Sequence, residues 1–267
     1  MPIANEHHPI HNVHIAPFLQ IVIGLFCLTF IILYLAAAGL SSRHYKRWPI
    51  TRTLSWVIGI FCIGAALIGP LAERAASDFR AHMLCHLLLG MLGPLLFVLS
   101  KPMTLFLRSI NISFARRISR LHKSLYFRIV LNPIVISLLN IGGLWLLYTT
   151  DLFTIMHLNP YLYGFIHLHI FLSGYFFTLT IINSEYMPQQ FTFLFRAAVL
   201  LFVLTFHGIL AKYLYFHPPS GVSEWQAEMG AKLMYYGGDI IDIVIIYLLF
   251  HRWYKAKRQK DSFLVRI

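Results

Sequence analysis

Acidic residues are scarce in this chain, ten Asp and Glu against 22 Lys and Arg among 267 residues, and all charged types together reach only 12%. A water-soluble domain needs a charged surface; with 58% hydrophobic residues this sequence falls outside that class. Cysteine is also rare. Cys27, Cys62 and Cys85 all fall inside apolar runs and no CxxC occurs, which excludes an extracellular disulfide framework. Internal repeats and low-complexity tracts are missing as well. The N-terminus has no cationic segment followed by a small-residue cleavage site, so no removable signal peptide is expected.

What the chain does have is long apolar runs. About 20 helical residues cross some 30 Å of hydrocarbon, and seven stretches approach or reach that length: 18–40, 54–71, 79–99, 133–150, 162–182, 193–213 and 230–250. The expected fold is all-α, a polytopic membrane protein of seven transmembrane helices. A polar segment 1–16 carrying His7, His8, His11 and His14 precedes the membrane domain 17–250, and a basic tail 251–267 follows it. Short histidine-rich tracts can capture metal, and an incidental cluster on a mobile terminus is the alternative.

The cations are distributed unevenly. In a seven-span arrangement 18 of the 22 Lys and Arg fall on one side, among them seven between Lys101 and Arg128 and six between Arg252 and Arg266. By the positive-inside rule the N-terminus is then outside and the C-terminus cytoplasmic. The net charge of +12 reports this topology and contact with anionic membrane lipid. It does not report nucleic acid, because no folded basic domain remains once the spans are removed. The connection 101–132 mixes apolar and basic residues at helical spacing, which suits an amphipathic segment on the cytoplasmic surface or a docking surface for a partner protein.

Ionisable groups inside the spans point to function, since hydrocarbon penalises them unless they are partnered. His82 and His86 stand four residues apart on one helix face. At about 1.5 Å per residue His86, His167 and His207 lie roughly 8–10 Å below the outer ends of their spans, with Asp239 and Asp242 somewhat deeper. Interhelical hydrogen bonding would account for such groups, and convergence at one depth favours a site. Met83 and Cys85 flank the histidine pair, and imidazole with thioether or thiol suits copper, above all Cu(I). His167 and His169 point about 200° apart. His167 is preferred as the inward one, because Gly174 shares its stripe and permits close helix approach; His169 reads as a satisfied interfacial residue. Asp239 and Asp242, i and i+3 on the last span, could fix an imidazole tautomer or carry protons. His157 and His217 fall in outer loops, where a solvated side chain is the default.

The stretch from Ala81 to Arg108 has paired histidines, Pro94 inside the span and Pro102 opening the basic loop. It resembles the signature span of the membrane-embedded CtaG cytochrome c oxidase assembly factors. The segment from His167 to Gly174 resembles that family's later histidine-to-glycine span, and Gly230 to Gly238 its final span with a glycine pair. The resemblance covers about 54–250. The chain departs from the family where Trp225-Gln-Ala-Glu228 replaces an acidic-glutamine run, Lys232 an apolar residue, and Asp239 follows the glycines.

The resemblance implies a non-enzymatic assembly factor of the bacterial plasma (inner) membrane that works with a haem-copper oxidase subunit and handles copper. His82, His86 and His167 would be its ligands, Met83 or Cys85 would assist, and His207 would be a further ligand at the same depth. Two other readings stay open. A haem-binding redox protein would use His86 and His167 as axial ligands, and a proton or metal transporter would use Asp239, Asp242 and His207 as a relay.

Overall fold

In a computed structural model of the chain, residues 17–122, 124–185 and 189–264 are described. The histidine-rich segment 1–16 lies outside the described residues. Every regular element among the described residues is helical: α1 (Pro17–His44), α2 (Ile50–Leu67), α3 (Pro70–Ala75), α4 (Phe79–Leu87), a π-helical turn (Leu88–Leu92), α5 (Gly93–Ser100), α6 (Pro102–Ser109), α7 (Ile112–His122), α8 (Leu125–Val130), α9 (Pro133–Thr149), α10 (Leu152–Leu158), α11 (Pro160–Ile182), α12 (Phe193–Phe216) and α13 (Glu224–Leu264).

Among the described residues six helices are long and apolar enough to cross a membrane, or seven spans when α9 and α10 are counted as one bent by 82°. The chain is therefore a multi-pass membrane protein. The expected second span runs earlier than its apolar run suggested, because Gly69 at φ +83° stops α2 and Pro70 opens α3. The connection after the third span is not one surface helix but three, α6 to α8, the first set off by Lys101 in a left-handed conformation ahead of Pro102. On α7 the exposed Ile112 and Phe114 accompany the exposed Arg116, Arg117 and Arg120.

The third span, running from α4 through the π turn to α5, is the axis of the bundle, 67% buried where α1 is only 11% buried. Against it pack α2, α11 and α13; α12 lies against α13, α9 against α11 and α12, and α1 against α2 and α6. In lipid the apolar effect does not drive helices together, so close packing and polar contacts carry the association. Pro94 explains the π turn. It has no N–H to bond the Gly90 carbonyl, and its ring would collide with that carbonyl in a regular helix. One turn widens instead, Gly93 N–H bonds Leu88 O, and α11 sets Gly174 directly on the Gly90 carbonyl.

The helix starts are chemically specified. Asn132 and Asn159 accept backbone N–H bonds as caps of α9 and α11, each followed by proline at the first helical position, and Thr192 caps α12. One end of the bundle then holds the buried histidines, and the other the clustered Lys and Arg.

Candidate functional site

The histidine end is organised by the start of α4. Asp78 caps it, accepting Arg80 N–H at 2.9 Å and the Arg80 guanidinium at 2.7 and 3.0 Å. Those side-chain bonds from Arg80 hold the Asp78 carboxyl below its ordinary range. Arg80 also lies over the Trp225 ring, 4.5 Å from its centre. One turn and two turns further along the helix stand His82 and His86, both buried.

The buried rings form a file. His157 on α10 lies 5.8 Å from His82, centre to centre. His82 Nε2 shares a 3.1 Å hydrogen bond with the Tyr148 hydroxyl of α9. Tyr148 meets His86 edge-on at 6.3 Å, and His86 faces His207 of α12 at 6.3 Å with an interplanar angle of 26°. Phe79 and Phe153 close the file on the outside of His82. Neither ring nitrogen of His86 has a hydrogen-bond partner, nor has His207 Nε2, and all three atoms are buried. Leaving a buried polar group unpaired costs about 1–3 kcal/mol each, and within the file these three are the buried atoms with unused hydrogen-bonding capacity.

Beside the pair is a cavity of about 30 Å³, also lined by Asp242, Asn140, Ser173 and Thr178. It has room for roughly two water-sized groups. Gly238 makes way for the His207 ring, and Gly237 for Leu87.

Several expected members take other places. His167 does not join the file: its ring stacks on Tyr163 at 3.9 Å and its Nδ1–H donates to the Tyr163 carbonyl at 2.8 Å. It lines a separate apolar groove of about 630 Å³ between α1, α2 and α11. Met83 is fully buried against Gly230 of α13. Cys85 packs with Ala66, Ala75 and Leu89 toward α2 and α3. The carboxylates part company, Asp242 buried at the cavity and Asp239 exposed on the outer face of α13. His169 Nε2–H donates to the Leu139 carbonyl at 3.1 Å and its ring lies over Gly143, the satisfied interfacial role expected of it.

His157 departs from the expected solvated loop residue. The 82° bend after Thr149 turns α10 across the mouth of the bundle, half-burying the ring on Phe153 and beside His82. Its Nδ1 lies 2.8 Å from the Phe153 carbonyl, and a carbonyl can only accept, so Nδ1 carries the proton and Nε2 a lone pair. This is the tautomer that metal-binding histidines adopt, with the other nitrogen donating to a backbone carbonyl. Among the described residues no three His, Cys, Asp or Glu side chains come together closely enough to hold a metal ion. What the geometry offers is two-histidine pairs in series.

The family model for the cytochrome c oxidase caa3 assembly factor, Caa3_CtaG, matches residues 32–256. The chain belongs to this family. Three uncharacterized mycobacterial proteins are similar to it: one of Mycobacterium leprae, 26% identical over 182 residues (66% of this chain, 28% of that one), and one each of Mycobacterium bovis and Mycobacterium tuberculosis, 27% identical over 183 residues (64% of this chain, 27% of theirs). The chain thus spans about a quarter of the length of the curated relatives it matches. No solved structure matches it.

Proposed function

We propose that this protein is a non-catalytic assembly factor for a cytochrome c oxidase, as its family's description suggests, and that it holds copper transiently as cargo for an oxidase subunit, with His86 and His207 as the holding pair. The observation that carries the reading is the unpaired imidazole edge: three buried ring nitrogens without partners, on two rings 6.3 Å apart. Two imidazoles bridged in line by one ion, with metal–nitrogen bonds of about 2.0 Å, have centres about 6 Å apart, the spacing of the His86 and His207 rings, whose nitrogen edges would turn toward each other on the ion. Cu(I) accepts such low coordination and soft surroundings. Asp242, lining the same cavity, offers carboxyl oxygens near the ion.

His157 and His82 form the pair nearer the mouth, and Tyr148, in contact with both His82 and His86, links the two pairs. Copper entering at the mouth would meet His157 Nε2 first and pass inward. His167, Met83 and Cys85 serve packing and orientation in this scheme. The cavity of about 30 Å³ beside His86 suits an ion better than a haem macrocycle. We propose that the histidine end lies at the outer face of a bacterial inner membrane and the clustered cations in the cytoplasm, a reading the cation asymmetry supports.

The test is copper bound by protein purified under reducing conditions, scored by metal analysis and by competition with a Cu(I) chelator. His86→Ala and His207→Ala should each lose most of the bound copper while the protein still inserts, and His169→Ala should keep it. A strain lacking the protein should assemble oxidase with less copper at unchanged transcript level. Full copper retention in both His86→Ala and His207→Ala would overturn the assignment.

A further inference from the structure

The far end of the bundle holds a second site. Arg196, in the first turn of α12, donates from one terminal nitrogen to the Ile181 carbonyl at 2.7 Å. Arg252 of α13 donates to the Asn183 carbonyl at 2.8 Å and reaches the Ile182 carbonyl at 3.5 Å. The last carbonyls of α11 thus steer two guanidinium groups into one place. They line a pocket of about 630 Å³ together with His251 and Lys255.

These carbonyls orient the arginines but carry no net charge to balance them. No Asp or Glu is among the described residues lining the pocket. Glu185, three residues beyond Ile182, is bonded to Thr104 through Oε1. The two ion pairs between described residues, Arg80–Asp78 and Lys232–Glu228, stand at the histidine end. A guanidinium has five N–H donors, and the Nε of Arg196 is buried with no partner. Two cations held side by side without a counter-charge among the described residues make the pocket a site for an anion with several acceptor oxygens.

The other wall identifies the anion's carrier. Phe193 and Trp253 stack at 4.8 Å and line the same pocket with Leu248. Beyond them the exposed Leu194, Tyr247 and Phe250 continue as apolar surface along α12 and α13. A ligand that puts a phosphate on arginines and hydrocarbon on this wall is an anionic phospholipid, and such basic pockets between spans at the headgroup level bind lipids of that class.

We propose that the pocket formed by Arg196, Arg252 and Lys255 beneath the end of α11 binds the phosphate of one anionic phospholipid, tying α11, α12 and α13 together at this end. The site is independent of the copper reading.

The full chain is reconstituted in nanodiscs of phosphatidylcholine carrying increasing phosphatidylglycerol. Bound lipid is counted by native mass spectrometry and stability by the unfolding temperature. The expected result is a saturable gain of about one phosphatidylglycerol with a rise in unfolding temperature. Each cation near the surface contributes about fivefold in affinity, so the double variant Arg196→Gln, Arg252→Gln should bind at least tenfold more weakly. Lys255→Gln changes an exposed position, cannot unfold the bundle, and should weaken binding several-fold. Arg43→Gln, exposed at the end of α1 and outside the pocket lining, should behave as wild type. Equal phosphatidylglycerol binding by wild type, the double variant and Lys255→Gln would overturn the proposal. So would inorganic phosphate alone reproducing the stabilisation, since the site would then be an anion site with no lipid preference.

Discussion

The ring of His207 occupies the space that a side chain at position 238 would take: a Cβ built on Gly238 would lie 2.8 Å from the imidazole Cε1. The second glycine of the pair on α13 is therefore the seat of a histidine on α12. Gly238→Ala should push the ring off its position, cost about 1–3 kcal/mol of overpacking, and weaken copper binding about tenfold or more, the equivalent of about 1.4 kcal/mol. Gly164→Ala, with open space where its Cβ would stand, is the matched control and should leave binding unchanged. Copper titration of the two purified variants checks this; equal affinity for both would separate His207 from the site.

Gly174 faces backbone, not a side chain that could swing away. Gly174→Ala must displace α11 from the freed Gly90 carbonyl, so a loss of at least about 1–3 kcal/mol is expected, read as lower unfolding temperature and abundance. Gly142→Ala, a helix position with nothing near its Cβ, should be neutral or slightly stabilising from improved helix propensity. The comparison is made in one detergent at one protein concentration.

Glu185 gives a pH dependence of definite sign. Its Oε1 accepts from Thr104 N–H at 2.7 Å and from the Thr104 hydroxyl at 2.9 Å, while Oε2 is buried without a partner. Burial pushes the carboxyl above its ordinary range, more than the Thr104 bonds lower it. A carboxyl raised on folding stabilises when protonated, and that stability is lost as pH rises through its folded value. Glu185→Gln keeps an acceptor for Thr104 and cannot ionise. The variant should match or exceed wild type near about pH 8, its advantage shrinking toward about pH 5. Unfolding temperatures across that range decide it, and an advantage that grew on acidification would contradict the sign.

The 18-to-4 cation asymmetry predicts an external N-terminus and a cytoplasmic C-terminus. A reporter fused after Ile267 should respond as cytoplasmic and one fused before His7 as external. Matching locations for the two ends would remove the odd number of crossings.

Much of this fold is written in hydropathy. The long spans are visible because crossing a bilayer demands some 20 apolar residues in a row, and the histidine pair is visible because imidazole stands out among leucines. The partners of His82 and His86 were harder to read. Which ring meets which depends on helix rotation, set by where glycine lets a neighbour in: Gly238 admits His207, while His167 turns onto Tyr163. Gly174 did mark the close approach, through the Gly90 carbonyl. His157 was hidden because α10 is seven residues long and lies after an 82° bend that no periodicity announces. Pro94 was the available signal for the π turn, since a proline within a span must release a carbonyl.

The π turn makes the third span one residue longer than an unbroken α-helix between the same ends. Because the widened turn absorbs its extra residue, deleting one residue between Leu88 and Leu92 would restore regular winding and keep the two halves in phase, but it would drive the Pro94 ring against the carbonyl one turn before it. A shortened span would still insert and still cross the bilayer. It would lose the widened turn that leaves room for the Gly90 carbonyl beneath Gly174, so a single surplus residue is what lets α11 come this close to the helix.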